Sequence, residues 1–167
     1  METKQVVLLG ASGSIGRSTL DVLRNLGPGY RLFGLSVHQQ TTDLPALARE
    51  FSLREVVVTA PGDLPPALPS SLPEHCRLGQ GEAAVLEMVS RPEVDIVVQA
   101  VSGAAGLPFS VATLKAGKRL ALANKESMVL AGPLLLDLAR KHRAPLLPVD
   151  SEHSAIFQAL EGRDHGS

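Results

Sequence analysis

The chain has 167 residues, 44% of them apolar and 20% charged, with a formal net charge of -1. That length suits one domain with a short extension and is enough to bury a sizeable core. Balanced charge and 3% aromatic residues provide neither a basic face for nucleic acid or an anionic membrane nor a base-stacking platform. The lone cysteine, Cys76, excludes an internal disulfide and fits a reducing cytoplasm. Met1 to Gln5 lead directly into an apolar run without the pattern of a signal or transit segment. No apolar run reaches the roughly 18 residues of a membrane span. The expectation is a soluble cytoplasmic protein.

Val6 to Leu9 is a β-branched and aliphatic run that stops at Gly10 and reads as a buried strand. Ile15, Leu20, Val22, Leu23 and Leu26 then recur at helical spacing until Gly27-Pro28-Gly29. A second strand is expected over Arg31 to Val37, a short helix over Leu44 to Phe51 and a third strand over Glu55 to Thr59. Pro61, Pro65, Pro66, Pro69 and Pro73 predict an irregular surface connection. A helix over Glu82 to Ser90, a fourth strand over Val94 to Gln99 and a helix over Leu107 to Ala116 follow. The remaining expectations are a fifth strand over Arg119 to Ala123, a helix over Ser127 to His142, a sixth strand over Pro145 to Val149 and a helix from Ser154. Alternating strands and helices define an α/β, Rossmann-type, doubly wound and mostly parallel sheet with helices on both faces. Residues 1–150 form its nucleotide-binding domain, and residues 151–167 begin a further domain.

Gly10-Ala11-Ser12-Gly13-Ser14-Ile15-Gly16 joins the first strand to the first helix. Gly10 permits the tight turn, Gly13 opens an approach for a diphosphate, and Gly16 lets the helix lie close to the sheet. The helix N-terminus then offers amide N–H groups and a positive dipole end to phosphate. Placement between a buried first strand and a helix makes these glycines more informative than the triplet alone. NAD-binding domains usually end their second strand with a carboxylate for the ribose hydroxyls. Here Ser36-Val37-His38-Gln39-Gln40 contains no acid, which favours NADP, with His38 and Arg17 as candidate partners of a 2′-phosphate. An ordinary loop histidine is an equally good reading of His38.

Three further turns carry candidate chemistry. Ser102-Gly103-Ala104-Ala105-Gly106 follows the fourth strand, where small residues let a cofactor lie against backbone or simply allow packing. Asn124-Lys125-Glu126-Ser127 follows the fifth. Asn124 or Ser127 can cap the next helix, whereas Lys125 opposes its dipole and is either solvated or matched to an anion or carbonyl. Asp150-Ser151-Glu152 follows the sixth. In extended chain its two carboxylates converge and suit a hard cation, while local chemistry favours helix capping.

Taken in order, the motifs resemble the 1-deoxy-D-xylulose 5-phosphate reductoisomerase family. They are Gly13-Ser14-Ile15-Gly16, Gly103-Ala104-Ala105-Gly106-Leu107, Leu122-Ala123-Asn124-Lys125-Glu126-Ser127, and Pro148-Val149-Asp150-Ser151-Glu152-His153-Ser154-Ala155-Ile156-Phe157-Gln158. The resemblance implies NADPH and a divalent cation (Mn²⁺, Mg²⁺ or Co²⁺), and conversion of 1-deoxy-D-xylulose 5-phosphate to 2-C-methyl-D-erythritol 4-phosphate in non-mevalonate isoprenoid biosynthesis. It assigns Asp150 and Glu152 to the metal and Lys125, Ser151 and Glu152 to the substrate, with Lys125 assisting catalysis. Gly10, Ser12, Gly13, Ser14, Ile15, Gly16, His38, Gln39, Ala104, Asn124 and Glu126 fall to the cofactor. It also implies a homodimer whose partner is a small phosphorylated sugar.

Two departures stand out. The family commonly places a small residue, then Gly or Ala with Lys, Arg or Asn, where Val37-His38-Gln39-Gln40 stands here. The family also continues past this length, with a third carboxylate ligand, phosphate-binding residues, a lid and a helical domain. This chain is therefore expected to be a piece without turnover of its own. The competing readings are a stand-alone NADP-binding module and a homoserine or semialdehyde dehydrogenase. Those dehydrogenases share the glycine loop but not the Asn-Lys-Glu-Ser and Asp-Ser-Glu-His pair. A semialdehyde dehydrogenase also needs a catalytic cysteine, for which Cys76 is poorly placed.

Overall fold

The structure, a computed structural model, describes residues 2–149. Seven strands among them form one sheet: β1 (Lys4–Leu9), β2 (Tyr30–Val37), β3 (Glu55–Val58), β4 (Arg77–Gln80), β5 (Ile96–Gln99), β6 (Arg119–Leu122) and β7 (Leu146–Pro148). Every neighbouring pair is parallel, in the order β4-β3-β2-β1-β5-β6-β7. The helices are α1 (Ser14–Asn25), α2 (Leu44–Glu50), α3 (Leu68–Ser71), α4 (Gly81–Val89), α5 (Leu107–Lys115) and α6 (Lys125–His142), with a 3-10 turn at Ala104–Gly106.

The central strands are apolar on both faces because both are covered. Val6 and Leu8 of β1 pack with Leu20, Leu23 and Leu44 of α1 and α2. Val7 and Leu9, pointing the other way, pack with Val85, Met88, Phe109, Leu114 and Leu135 of α4, α5 and α6. Strand order reverses between β1 and β5, so the loops after these two strands diverge and leave a crevice at their C-terminal ends.

The proline-rich stretch is less irregular than expected. It contains α3, whose Pro69 sits in the first turn, where a missing N–H costs nothing. The chain then adds β4, an edge strand absent from the sequence reading. Arg-Leu-Gly-Gln lacks an apolar run because no residue of this strand is fully buried. Helix α6 begins two residues before the expected start because Asn124, not a later residue, is its N-cap. It bends at Ala131 (φ -138°, ψ 19°), two residues before Pro133, whose ring has no N–H and crowds the carbonyl four residues back. Val129, Leu130, Leu134 and Leu136 on α6 remain exposed. No helix among the described residues is long and apolar enough to cross a membrane.

At the opposite end of the sheet, Glu55 opens β3 with a side chain only 3% exposed. Arg91 Nε donates to its carboxylate at 2.7 Å and a further guanidinium nitrogen reaches Glu87 at 3.2 Å, tying the end of α4 to β3. Removing the cation would strand a buried carboxylate. Arg91→Met should therefore lower unfolding free energy by about 2–4 kcal/mol, measured by urea denaturation; a loss no larger than that of an exposed ion pair would contradict this role.

Candidate functional site

The loop after β1 is built from inside by its glycines. Gly10 has φ 79°, and a Cβ there would lie 2.8 Å from the Ala100 carbonyl oxygen after β5. The amides of Gly10 and Ala11 donate to the Ser36 carbonyl at 3.1 and 2.9 Å, fixing the turn to the end of β2. Gly16 lies still closer: a Cβ there would sit 2.7 Å from the backbone of Ala11 and overlap the Gly10 carbonyl. These two glycines are required by the protein's own packing.

Gly13 differs. It is the N-cap of α1 with φ -75°, a conformation open to any residue, and a Cβ would meet only the Gly10 oxygen at 3.6 Å. It also offers no capping side chain, so the first-turn amides of Ser14, Ile15 and Gly16 lack the acceptor most helices place there. A bare helix N-terminus beside a glycine with no internal need for its smallness has the geometry and dipole to accept a close-lying anion.

Clefts flank this N-terminus. One of about 450 Å³ is lined by Ser12, Arg17, Val37 and Gln40, beside α1 and α2. Arg24 in its wall is committed to Asp21 at 2.6 Å and to Glu50, and these carboxylates raise its pKa. Arg17 is exposed and has no such carboxylate partner among the described residues. His38 Nδ1 lies 3.1 Å from Thr59 Oγ1 at the ends of β2 and β3, with Gln39 exposed next to it. The other cleft, of about 330 Å³, is lined by Ile15, Val101, Gly103, Asn124, Lys125 and Val149, among others. The glycine loop thus stands between two spaces of small-molecule size.

The structure gives the Asn124 region a specific construction. Asn124 Oδ1 accepts from the amides of Glu126 (2.9 Å) and Ser127 (3.4 Å), capping α6. Its Nδ2 donates to the carbonyls of Val101 (2.9 Å) and Gly103 (2.7 Å), binding the loop after β5 to the start of α6. The side chain is therefore fully occupied within the protein. Lys125, first residue of α6, is exposed without a carboxylate partner among the described residues, and Glu126 follows it in the first turn. Ala104 is exposed in the 3-10 turn, next in sequence to Gly103 of this cleft.

The structure brings together Gly10, Ser12, Gly13, Ser14, Ile15, Gly16, Ala104, Asn124, Lys125 and Glu126 at the C-terminal edge of the sheet. His38 and Gln39 stand apart, beyond the Ser12 side. Asp150, Ser151 and Glu152 lie outside the described residues. Among the described residues no group of three or more His, Cys, Asp or Glu side chains could hold a metal ion. Cys76 is buried in the core under α3, and burial, with the nearby Glu55 carboxylate, pushes its thiol up to about 11. It is neither accessible nor near the cleft, unlike a catalytic thiol.

Residues 6–132 match the family model of 1-deoxy-D-xylulose 5-phosphate reductoisomerase. The chain belongs to this family. It is 42% identical over 165 residues to the 1-deoxy-D-xylulose 5-phosphate reductoisomerase of Leptospira interrogans, covering 99% of this chain and 42% of that protein. With that of Dechloromonas aromatica the identity is 44% over 164 residues, covering 94% and 40%. The family's Zymomonas mobilis structure, in complex with NADPH, superposes with a TM-score of 0.82 at 38% identity, covering 94% of this chain and 41% of that one. Another, in complex with NADPH, fosmidomycin and magnesium, gives 0.79 at 38%, covering 93% and 38%. The chain thus spans about two fifths of the length of the relatives it matches. A homoserine dehydrogenase from Thiobacillus denitrificans, at 21% identity and TM-score 0.61, shares the fold alone.

The division among the glycines is directly measurable. Gly16→Ala should cost about 2–3 kcal/mol, because backbone atoms cannot yield to the new methyl. Gly13→Ala should cost no more than about 1 kcal/mol, the difference between Gly and Ala at a helix N-cap. Equal losses in chemical denaturation would contradict a ligand-facing role for Gly13.

Proposed function

We propose that this chain is the NADPH-binding part of a metal-dependent reductoisomerase that converts 1-deoxy-D-xylulose 5-phosphate to 2-C-methyl-D-erythritol 4-phosphate. The observation that carries the reading is Gly13, whose lack of a side chain serves no contact inside the protein, at an uncapped helix N-terminus between two clefts. A diphosphate across Ser12 to Ile15 directs the adenosine half toward Ser12, Arg17 and Gln40. The nicotinamide then faces Gly103, Ala104 and the start of α6. Arg17 is the available cation for a 2′-phosphate, and His38 and Gln39, just after β2, are further candidates. This arrangement replaces the Lys, Arg or Asn usual after the second strand.

In this reading the protein binds, orients and excludes water, while bound NADPH supplies hydride and the divalent cation supplies Lewis acidity toward substrate oxygens. Lys125 holds an anionic oxygen of the substrate near the nicotinamide; its charge opposes the α6 dipole and is satisfied by that anion. Asp150 and Glu152 are the metal ligands and Ser151 a substrate contact, by family resemblance. Residues 1–150 make the nucleotide-binding domain, and residues 151–167 begin the catalytic one. The chain spans about two fifths of the length of the relatives it matches, and in this reading it is the cofactor-binding part. We include a cytoplasmic location and a homodimer in the reading; the exposed apolar side chains of α6 support burial against another body.

Fluorescence titration tests the cofactor. NADPH should bind at least about tenfold more tightly than NADH, and Arg17→Ala should remove most of that preference, as expected for a charge-assisted phosphate contact. Absence of NADPH binding up to about 1 mM, weaker than about -4 kcal/mol, would overturn the reading. In a catalytically complete form, Asp150→Asn should cut Mn²⁺-supported turnover by more than about a hundredfold, beyond the effect of an outer-shell partner. Retained turnover removes Asp150 from the metal site.

A further inference from the structure

Gln99, the last residue of β5, is fully buried in a strand otherwise made of Ile96, Val97 and Val98. A buried amide at that position demands hydrogen-bond partners. Its Oε1 accepts the Val101 amide at 2.6 Å, and its Nε2 lies 3.5 Å from Ser110 Oγ in α5. Ser110 Oγ in turn donates to the Gly106 carbonyl at 3.3 Å. Gly106 is shaped around the same amide: a Cβ there would overlap Nε2 and lie 2.8 Å from the Gln99 amide carbon.

Asn124 grips the same loop from the other side, through the carbonyls of Val101 and Gly103. Both backbone polar groups of Val101 are therefore held by side chains, the N–H by Gln99 and the C=O by Asn124. A loop so held has no free choice of which face it turns to the cleft. Val101 and Gly103 line the cleft that the proposed function gives to the nicotinamide.

We infer that Gln99 is a positioning residue for the nicotinamide half of the dinucleotide: it preorganises the 101–106 loop, so that binding does not have to order it. The inference rests on the proposed nicotinamide placement. Gln99 touches neither cofactor nor substrate and acts through the Val101 peptide and the Gly106 turn. Preorganisation raises affinity by lowering the ordering cost of binding.

The test is Gln99→Met, which keeps the length and removes the acceptor, with two probes. NADPH reports the whole site, and adenosine 2′,5′-bisphosphate reports only the adenosine side. The expected result is about a tenfold weaker Kd for NADPH, the equivalent of one lost net hydrogen bond. The bisphosphate should change by less than about twofold. Equal weakening of both probes, the sign of general structural damage, or no weakening of either overturns the inference.

Should the variant not fold, amide exchange of the wild-type chain decides. Slow exchange at Val101 without cofactor is expected, and exchange at the rate of an open loop overturns the clamp. A wild-type chain that binds no NADPH fails the proposed function instead, and Val101 exchange still decides whether the clamp exists.

Discussion

The approach of α1 to the turn that ends β1 governs everything at the C-terminal edge of the sheet. Gly16 lies so close to Gly10 and Ala11 that no side chain fits between them. This contact aims the first turn of α1, and its amides, at the crevice where the loops after β1 and β5 part. Gly10 is held in turn between the end of β2, through Ser36, and the Ala100 peptide after β5. The N-terminus of α1 is thus fixed by the two strands that neighbour β1, and its position follows from sheet order.

Rigidity on the β5 side has a different source. There the chain between Ala100 and the 3-10 turn at Ala104 belongs to no strand or helix, and polar side chains take their place. Asn124 caps α6 and pins the Val101 and Gly103 carbonyls, and Gln99 holds the Val101 amide. The same asparagine therefore sets both the start of α6, which carries Lys125, and the loop that faces it. One side of the crevice is shaped by the absence of side chains, the other by buried amides.

Much of this was legible in the sequence. Runs such as Val6 to Leu9 and Val56 to Val58 are apolar without alternation because both faces of the sheet are covered. The glycine spacing announced the loop, and the missing acid after Val37 pointed toward NADP. Strand β4 was not legible, since a half-buried edge strand can be built from Arg-Leu-Gly-Gln without an apolar signature. The bend of α6 had its signal in Pro133, set within an otherwise helical run. The double duty of Asn124 was half visible: its capping is local, whereas its bonds to Val101 and Gly103 span more than twenty residues. Gln99 left one trace, a lone polar residue closing an apolar strand, which acquires meaning only once Gly106 is seen against it. The carboxylates of Asp150 and Glu152 lie beyond the described residues, so their role rests on the family motif.

The central claim is that a dinucleotide lies across the N-terminus of α1 with its halves in the two flanking clefts. The most direct measurement is a map of backbone amide shifts in the folded chain as NADPH is added. The expected pattern is saturable change at Ser12 to Gly16, at Arg17 and Gln40 on one side, and at Val101 to Ala104 and Lys125 on the other. Change confined to the opposite end of the sheet, around Arg54 and Arg91, or to one cleft alone, would contradict it.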